Sequence, residues 1–149
     1  MFKHILIPTD GTELSEKAIR QGIAFAKSIG ARVTAFHAAP RYHHVTLQEG
    51  AFKAVDLPMH REFDEQDKAR AETLLEIARK AAREAGVPCE SLVEINNFPH
   101  EAIIKAAQEK GCDLIFMASH GKSTISALLM GSETVEVLTH SSVPVLLWR

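Results

Sequence analysis

The hydrophobic residues of this chain fall into two alternating kinds of segment. Short runs rich in Val, Ile, Leu and Phe are apolar almost throughout, which is typical of strands buried on both faces of a parallel sheet. Longer segments between them carry apolar residues at helical spacing. The pattern predicts five strands: Lys3–Thr9, Arg32–His37, Ser91–Ile95, Asp113–Ala118 and Val143–Trp148.

The helical segments carry recognisable start and stop signals. Between the first two strands, Thr12 is a candidate N-cap and Gly30 a stop for a helix whose apolar face begins at Leu14. A second helix is predicted from about Glu65 to Ala85, where Gly86 and Pro88 end it. The remaining helices are predicted over Pro99–Gly111, around Thr124–Met130 and over Ser132–His140.

Strands that alternate with helices in this way predict an α/β fold. Right-handed crossovers turn the alternation into a doubly wound parallel sheet of five strands with helices on both faces. In such a sheet, ligands bind beyond the carboxyl ends of the strands, near the point where the strand order reverses. This rule predicts a ligand site around the segments that follow Thr9, His37 and Ala118.

One segment does not fit the alternation. Ala39–Asp64 is too long for an ordinary connection and has no strong periodicity, so we interpret it as a flexible flap with partial helix around Gln48–Val55. Its position after the second strand suggests a lid over the ligand site. The rest of the chain has no repeat and no composition break, and residues 1–149 are predicted to form one domain.

Composition and charge exclude several classes of function. With 17 Lys and Arg against 19 Asp and Glu, the chain has a formal charge of -2 and no basic surplus for nucleic acid. No apolar stretch reaches the roughly 18 residues that a membrane span needs, and the first residues lack the pattern of a signal peptide. Cys89 and Cys112 have no metal-ligand spacing and fit a reducing compartment. We therefore expect a cytoplasmic protein.

A glycine-containing segment is the strongest candidate for phosphate binding. The fourth predicted strand is followed by Gly121 and, after nine further residues, by Gly131 and Ser132 at the start of a helix. Glycines let backbone amides approach an anion, and a helix N-terminus offers unpaired N–H groups. The alternative is that both glycines only form turns. Two nucleotide motifs fail here, because Phe116 stands where a P-loop needs its first glycine and no G-x-G-x-x-G follows the first strand.

Other polar residues are candidates with plain alternatives. Asp10 ends the first strand, where it could accept a hydrogen bond from a ribose hydroxyl, face a phosphate-bound cation, or simply cap the turn. His43, His44 and His60 could bind zinc only if their loop folded back, and His120 could touch phosphate or fill a turn. No nucleophile has an evident base beside it in the sequence, so no dedicated catalytic site is predicted.

The last strand raises a question about assembly. Val143–Trp148 is apolar to its end and contains Pro144, which sheets tolerate mainly at their edges. Pairing with the same strand of a second chain, about a twofold axis, would cover the edge and bury Trp148. The alternative is that a helix of the same chain covers it.

Taken together, these motifs resemble those of the universal stress protein family over nearly the whole chain. ILIPTDGTELSEKAI resembles the opening strand and turn of the family, FHAAP the end of its second strand, and CDLIFMASHG and MGSETVEVLTHSSVPVLLWR its closing half. Nucleotide-binding members carry Gly, two residues, Gly, nine residues and then Gly-Ser or Gly-Thr. Gly121, Gly131 and Ser132 match this pattern, whereas Ala118 replaces the first glycine, which weakens binding if that position requires a positive φ.

The resemblance implies a strand order of 3-2-1-4-5, as in adenine nucleotide hydrolase-like folds, and an ATP site at the switch point. Adenine would meet the backbone at Ala38, and a Mg²⁺ or Mn²⁺ ion would accompany the triphosphate, with no separate protein metal site. The family also forms homodimers, here through Val143, Val145 and Leu147 of the last strand. The residues assigned to the nucleotide by position are Pro8, Thr9, Asp10, Ala38, Met117, Ala118, His120, Gly121, Gly131, Ser132 and Glu133.

Three hypotheses for the function follow. The first is an ATP-binding, homodimeric stress-response protein that acts as a nucleotide-dependent switch or binding module. The second is a dimeric interaction module whose pocket no longer holds nucleotide, which Ala118 would explain. The third is slow ATP hydrolysis or autophosphorylation, with Ser119, His120 or Ser123 as phosphoryl acceptors. The resemblance favours binding over turnover, so we expect no dedicated enzyme activity.

Overall fold

The computed structural model describes residues 1–40, 45–48, 51–54, 59–120 and 130–149. Seven strands and four helices lie within these residues. The strands are β1 (His4–Pro8), β2 (Arg32–Ala39), β3 (Val45–Gln48), β4 (Ala51–Ala54), β5 (Cys89–Ile95), β6 (Leu114–Ala118) and β7 (Val145–Trp148). The helices are α1 (Glu13–Ile29), α2 (Met59–Ala85), α3 (Pro99–Glu109) and α4 (Ser132–His140).

Five of the strands form one sheet, in the order β5-β2-β1-β6-β7. All neighbouring strands in this sheet run parallel, and Ile5 at its centre lies opposite Val33 of β2 and Leu114 of β6. Counted along the chain without β3 and β4, the order is 3-2-1-4-5, so the predicted doubly wound fold is confirmed. The strand order reverses between β1 and β6, which is where ligands bind in such sheets.

Each face of the sheet buries its own apolar cluster. Ile5 and Ile7 of β1 pack with α1 and α2 on one face, and the intervening Leu6 packs with α3 and α4 on the other. Successive side chains of a strand point to opposite faces, so a strand covered on both sides is apolar at every position. This double coverage explains the unbroken apolar runs of the sequence.

Helix α1 begins and ends at the predicted residues. The Oγ1 atom of Thr12 accepts a hydrogen bond from the Ser15 backbone N–H at 3.2 Å, as an N-cap does. Gly30 closes the helix with φ = 67°, in the left-handed region that favours glycine. The start of α1 is thereby fixed directly after β1, and this fixes the turn that carries Asp10.

The segment after β2 differs from its prediction. β3 and β4 pair antiparallel, with Gln48 opposite Ala51, so the predicted partial helix around Gln48–Val55 is wrong for the described residues. Val45 and Thr46 are β-branched and favour strands. The role of the segment as a flexible lid stays a prediction.

Two other predicted helices differ from the structure or lie outside its described residues. α2 begins at Met59, earlier than the predicted start near Glu65, and ends at Ala85 as predicted. The helix predicted around Thr124–Met130 falls almost entirely outside the described residues. Among the described helices, none is both long and apolar enough to cross a membrane.

Both cysteines are free thiols, Cys112 buried and Cys89 half-buried. Cys112 is buried beneath α3, and burial raises the pKa of its thiol to about 11. Burial also raises the pKa of the Cys89 thiol. Since the thiolate is the reactive form, neither cysteine is poised for nucleophilic or redox chemistry.

Candidate functional site

A cavity of about 360 Å³ opens at the carboxyl end of the sheet, where β1, β2 and β6 end. This is the place that the strand-end rule predicts. Gly121 lies outside the described residues, and the contact of the other predicted residues with a nucleotide stays a prediction. The predicted residues that the structure brings together on the cavity wall are Pro8, Thr9, Asp10, Ala38, Met117, Ala118, His120, Gly131, Ser132 and Glu133.

Asp10 caps the turn between β1 and α1 and also lines the cavity. Its Oδ1 atom accepts hydrogen bonds from the Thr12 backbone N–H at 3.0 Å and from Thr12 Oγ1 at 2.7 Å. Asp10 thus caps the turn, as one of its three interpretations from the sequence predicts, and its contact with a ribose hydroxyl or a cation stays a prediction.

Gly11, the next residue, brings α2 close to the cavity. Its φ is +79°, and a Cβ atom there would lie only 2.7 Å from Leu74 Cδ2. The positive φ favours glycine, and any side chain there would also displace Leu74. Because Leu74 packs over this turn, the residues one and two helical turns earlier on α2, Arg70 and Asp67, reach the cavity wall.

Thr9 ties the end of β1 to its neighbours. Its hydroxyl lies 3.1 Å from Ser15 Oγ of α1, and its carbonyl oxygen lies 2.7 Å from Nδ1 of His37 on β2. A carbonyl oxygen can only accept, so His37 Nδ1 carries the proton and donates. In the neutral ring the lone pair is then on Nε2.

A second set of hydrogen bonds holds the start of α4 beside the end of β6. The Gly131 N–H donates to the Ser119 carbonyl at 3.1 Å, and the Ser119 N–H donates to the Trp148 carbonyl at 2.9 Å. Thr134 Oγ1 donates to the Ala118 carbonyl at 3.4 Å. The N-terminal N–H groups and the positive dipole end of α4 therefore border the cavity, where they favour an anion.

Ala118 causes no backbone strain in the position of the family's first glycine. It is the last residue of β6 and lies opposite Trp148 in the sheet. Its backbone is thus extended, a conformation that any residue adopts, and no positive φ is required. The remaining consequence of alanine is one methyl group on the cavity wall.

Glu133 lines the cavity, but its carboxylate is engaged with α3. Its Oε2 atom accepts hydrogen bonds from the His100 backbone N–H at 2.8 Å and from His100 Nδ1 at 2.9 Å. Phe98 precedes α3 and offers no side-chain cap, so the carboxylate from α4 satisfies the first turn of α3 instead. This gives Glu133 a structural role in addition to its place on the wall.

The candidate phosphoryl acceptors are only partly described. Ser119 is buried at the end of β6, and its Oγ atom lies 3.4 Å from His120 Nδ1, near the limit for a hydrogen bond. Ser123 lies outside the described residues. Phosphorylation of Ser119, His120 or Ser123 stays a prediction.

The described side chains offer no dedicated metal site. His43, His44 and His60, the zinc candidates, lie outside the part of the chain whose side chains are described. Within that part, no group of three or more His, Cys, Asp or Glu side chains could hold a metal ion.

Several polar residues of the wall lie outside the sequence prediction. Asn96 and Asn97 directly follow β5, so the strand-end rule that identifies Asp10 also finds them when it is applied to that strand. Asp67 and Arg70 have no such signal, because only the tertiary packing of α2 over Gly11 brings them to the site. The polar lining residues that were not predicted are Ser15, His37, Asp67, Arg70, Asn96, Asn97 and Thr134.

The amino end of the same sheet carries a separate polar network. The backbone N–H of His4 donates to Asp113 Oδ1 at 3.0 Å, and the His4 ring nitrogen Nε2 lies 2.7 Å from Thr34 Oγ1. The Thr34 hydroxyl donates in turn to Glu90 Oε1 at 2.9 Å, so His4 Nε2 must be the donor to Thr34. Burial lowers the pKa of His4, and the Thr34 hydrogen bond lowers the pKa of Glu90.

Comparison with known proteins gives related sequences over the full length. A Methanocaldococcus jannaschii protein, universal stress protein MJ0577, is 30% identical, and the alignment covers 98% of this chain and 94% of that one. A universal stress protein of Thermus aquaticus is 33% identical, with full coverage of both chains. The solved structure of MJ0577 has a TM-score of 0.80 and covers 99% of this chain and 95% of its own.

Other solved structures share the fold at lower identity. One is a universal stress protein in complex with cAMP, with 23% identity and a TM-score of 0.70, and it covers 99% of this chain and 97% of its own. Another, from Arabidopsis thaliana, is described with AMP bound, with 15% identity and a TM-score of 0.67, and it covers 97% and 90%. The family model described as universal stress protein family matches residues 1–149. This chain therefore belongs to the universal stress protein family.

Proposed function

We propose that this chain binds an adenine nucleotide, ATP in the first place, in the cavity at the carboxyl end of its sheet. The observation that carries the proposal is the convergence of Asp10, Ala118, Gly131 and Ser132 on one cavity wall, although they come from distant parts of the sequence. Solved structures of the same fold are described as complexes with cAMP, dAMP and AMP, which gives a precedent for this ligand class.

The chemistry of the wall suits the parts of a nucleotide. The start of α4, with Gly131 and Ser132, offers N–H groups and a hydroxyl to phosphate oxygens. Apolar groups of Ala38, Met117 and Ile103 offer contacts to a flat base. A volume of about 360 Å³ also lies in the range of small-molecule sites. Phosphates at α4 and base near Ala38 would place the ribose between them, beside Asp10.

A divalent cation would enter with the triphosphate. The described side chains form no cluster that could cage a metal ion, and Mg²⁺ is commonly held by substrate phosphates with one or two carboxylates. Asp10 is the carboxylate of the β1–α1 turn on this wall. The ion would neutralise phosphate charge, and the chain would supply the N–H donors that position the phosphates.

We further propose that the protein is a cytoplasmic homodimer paired through β7. The other edge strand, β5, is protected by polar side chains: Arg79 of α2 donates to Ser91 at 2.7 Å, and Lys105 of α3 pairs with Glu94 at 3.0 Å. The side chains of β7 are apolar and half-buried. An unprotected apolar edge favours pairing with another strand. Two free thiols fit the reducing cytoplasm.

The dimer is tested by a variant that blocks strand pairing. Pro144 and Trp148 direct their carbonyl groups to β6, so by alternation Leu147 directs its N–H to the open edge. Leu147→Pro removes that N–H without touching the bonds to β6, and Leu147→Ala is the control that retains it. Light scattering after gel filtration should show a dimer for the wild type and Leu147→Ala and a monomer for Leu147→Pro. A wild-type monomer would refute the dimer.

The nucleotide proposal is tested on the purified wild-type protein. After denaturation, any released small molecule is identified by mass spectrometry, and thermal unfolding is followed with Mg-ATP, with Mg²⁺ alone and without additions. Released adenine nucleotide, or a rise in Tm with Mg-ATP only, is the expected result, because a ligand of the native state stabilises it. Absence of both at millimolar Mg-ATP would contradict nucleotide binding.

A second candidate function is an interaction module that does not hold nucleotide. Ala118 puts a methyl group on the cavity wall, and the Glu133 carboxylate is engaged with α3, so part of the wall is not shaped by a ligand. This candidate predicts the same dimer but no change of Tm with Mg-ATP. Adenine nucleotide that copurifies with the protein would exclude it.

A further inference from the structure

We propose that His37 and Asp67 form a hydrogen-bond-acceptor subsite on the α2 side of the cavity, which binds N–H or O–H donors of the nucleotide. The inference rests on the proposed nucleotide binding and goes beyond it, because it names side chains that read the ligand. Two groups of an adenine nucleotide have this donor chemistry: the exocyclic amine of the base and the hydroxyls of the ribose.

His37 supplies the first acceptor. The residue is 9% exposed and lines the cavity, and its Nδ1 atom donates to the Thr9 carbonyl at 2.7 Å. The proton of the neutral ring is therefore on Nδ1, and Nε2 is an acceptor. Nε2 has no hydrogen-bond partner among the described residues. His37 lines the cavity, so a ligand that covers Nε2 has to offer it a donor.

Asp67 supplies the second acceptor, from a different element. It lies on α2 and lines the same cavity. Its Oδ2 atom is buried and has no hydrogen-bond partner within the described part of the chain. A buried carboxylate oxygen without a donor is costly, and a native structure keeps such a group where a ligand or an ion completes it.

The two acceptors lie on the same side of the sheet. Along β2, Phe36 and Ala38 pack with the cluster under α3 and α4, whereas Ala35 packs with the cluster under α1 and α2. Since side chains alternate, His37 is on the α2 side, where Asp67 also lies. Both residues line the same cavity, so a nucleotide that fills it meets them from the α2 side.

Two acceptors on the α2 side of the cavity impose a selection on the ligand. A 6-amino purine or a ribose hydroxyl donates to them, but the carbonyl oxygen of a 6-oxo purine cannot. A ligand that covers the acceptors without offering a donor leaves them unpaired, which is the main source of strong discrimination between similar ligands. The subsite therefore selects for the donor group rather than for the phosphates.

Two variants remove the acceptors with little change of shape. His37→Asn keeps an amide donor at the position of Nδ1, so the bond to Thr9 is retained, and it removes Nε2. Asp67→Asn is isosteric and removes the carboxylate. Glu65→Gln is the control, because it deletes one negative charge from an exposed position of the same helix, outside the cavity wall. Thermal unfolding without ligand verifies that each variant folds.

The direction of the Asp67→Asn effect separates hydrogen bonding from simple charge. Removing a negative charge near an anionic nucleotide should strengthen binding by electrostatics alone, as Glu65→Gln would do slightly. The subsite predicts that Asp67→Asn weakens binding instead. His37→Asn and Asp67→Asn should each weaken Mg-ATP binding about tenfold in calorimetric titration, the loss of roughly one hydrogen bond to a buried acceptor.

Ligand analogues identify the donor group. Each protein is titrated with Mg-ATP, inosine triphosphate, 2′-deoxy-ATP and 3′-deoxy-ATP. If the amine is the donor, inosine triphosphate binds the wild type weakly and is insensitive to both variants. A hydroxyl has one proton, so if the ribose hydroxyls are the donors, each deoxy analogue binds the wild type weakly and is insensitive to one of the two variants. Mg-ATP affinity that both variants leave unchanged, or equal weakening of all four ligands, would overturn the subsite while nucleotide binding stands. A wild type that binds none of them would overturn the proposed function first.

Discussion

The polar side chains at the two ends of the sheet differ in what surrounds them. At the amino end, His4, Thr34 and Glu90 form a chain of hydrogen bonds of 2.7 and 2.9 Å, although His4 Nδ1 has no partner among the described residues. At the carboxyl end, polar groups line a cavity of about 360 Å³, and Asp67 Oδ2 is buried there without a partner in the described part of the chain. The polar groups of the amino end form a network within the fold, whereas those of the carboxyl end form bonds within the fold and also border the cavity.

The difference shows how one sheet can separate stability from ligand binding. Hydrogen bonds between buried side chains stabilise the fold only when both partners are present. At the carboxyl end the start of α4 and the turn after β1 are fixed by backbone bonds, so the cavity wall is held before any ligand arrives. Substitutions at the amino end should therefore change stability alone, and those at the carboxyl end should change binding.

The largest expected effect is that of Thr34→Val on stability. Thr34 is fully buried, and valine has its shape but neither accepts from His4 nor donates to Glu90. We expect a loss of about 2 kcal/mol in the free energy of unfolding, measured by urea denaturation, because two polar partners lose their bonds. The Kd for Mg-ATP should not change. Thr139→Val, at an exposed site of α4, is the control, and an equal loss in both variants would break the contrast between the ends.

Next in size is the effect of Ser132→Glu on binding. The exposed first residue of α4 lies on the cavity wall, so a carboxylate there opposes phosphate. We expect Mg-ATP affinity to fall at least about tenfold in calorimetry. The unfolding free energy should be kept, since a negative charge favours the N-terminus of a helix. Ser142→Glu, exposed and outside the wall, adds the same charge and should bind normally. Equal Mg-ATP affinities of the Ser132→Glu and Ser142→Glu variants would contradict the binding of phosphates at the start of α4.

A smaller effect is expected from pH. Burial holds the pKa of His4 below its ordinary value of 6.5, Arg32 adds to the lowering, and Glu90 opposes it. Below pH 6.5 the His4 side chain therefore takes up a proton more readily in the unfolded chain than in the folded chain. The free energy of unfolding is thus highest above pH 6.5 and falls as the pH drops through the lower folded-state pKa. His4→Gln does not titrate, and its amide can still bond to Thr34. Unfolding curves between about pH 6.5 and 5, above the carboxyl range, should slope less for His4→Gln. Parallel curves would refute this role of His4.

The smallest expected effect is that of Ala118→Gly. It restores the glycine of the family pattern and removes a methyl group from the cavity wall, without relief of backbone strain, because the residue is extended. We expect Mg-ATP affinity to rise by no more than about threefold and the unfolding free energy to fall by about 0.5–1 kcal/mol. A gain of two orders of magnitude would mean that the methyl group blocks the nucleotide.

Much of the fold can be predicted from the sequence because its determinants are local. The unbroken apolar runs identify the five sheet strands, and Thr12 and Gly30 identify the ends of α1. The strand-end rule then locates the cavity near Asp10. The sequence did not predict the antiparallel pair β3–β4, because its strands are short and follow neither the helical nor the buried-strand pattern.

The rest of the site depends on contacts between distant segments. Sequence position cannot show that α2 packs over Gly11 and brings Asp67 to the wall, or that Glu133 binds the start of α3. From the sequence, His37 is only the last residue of a predicted strand. Its hydrogen bond to the Thr9 carbonyl, seen in the structure, fixes which ring nitrogen is an acceptor. The sequence therefore predicts the helices and strands better than it predicts the contacts between their side chains.

The most direct test of nucleotide binding at the carboxyl end is calorimetric titration of Mg-ATP into the wild type, Thr34→Val and Ser132→Glu. We predict saturable binding of one nucleotide per chain, with equal affinity in the wild type and Thr34→Val and strongly reduced affinity in Ser132→Glu. No binding to the wild type at millimolar Mg-ATP, or equal affinity in all three proteins, would contradict a nucleotide site at the start of α4.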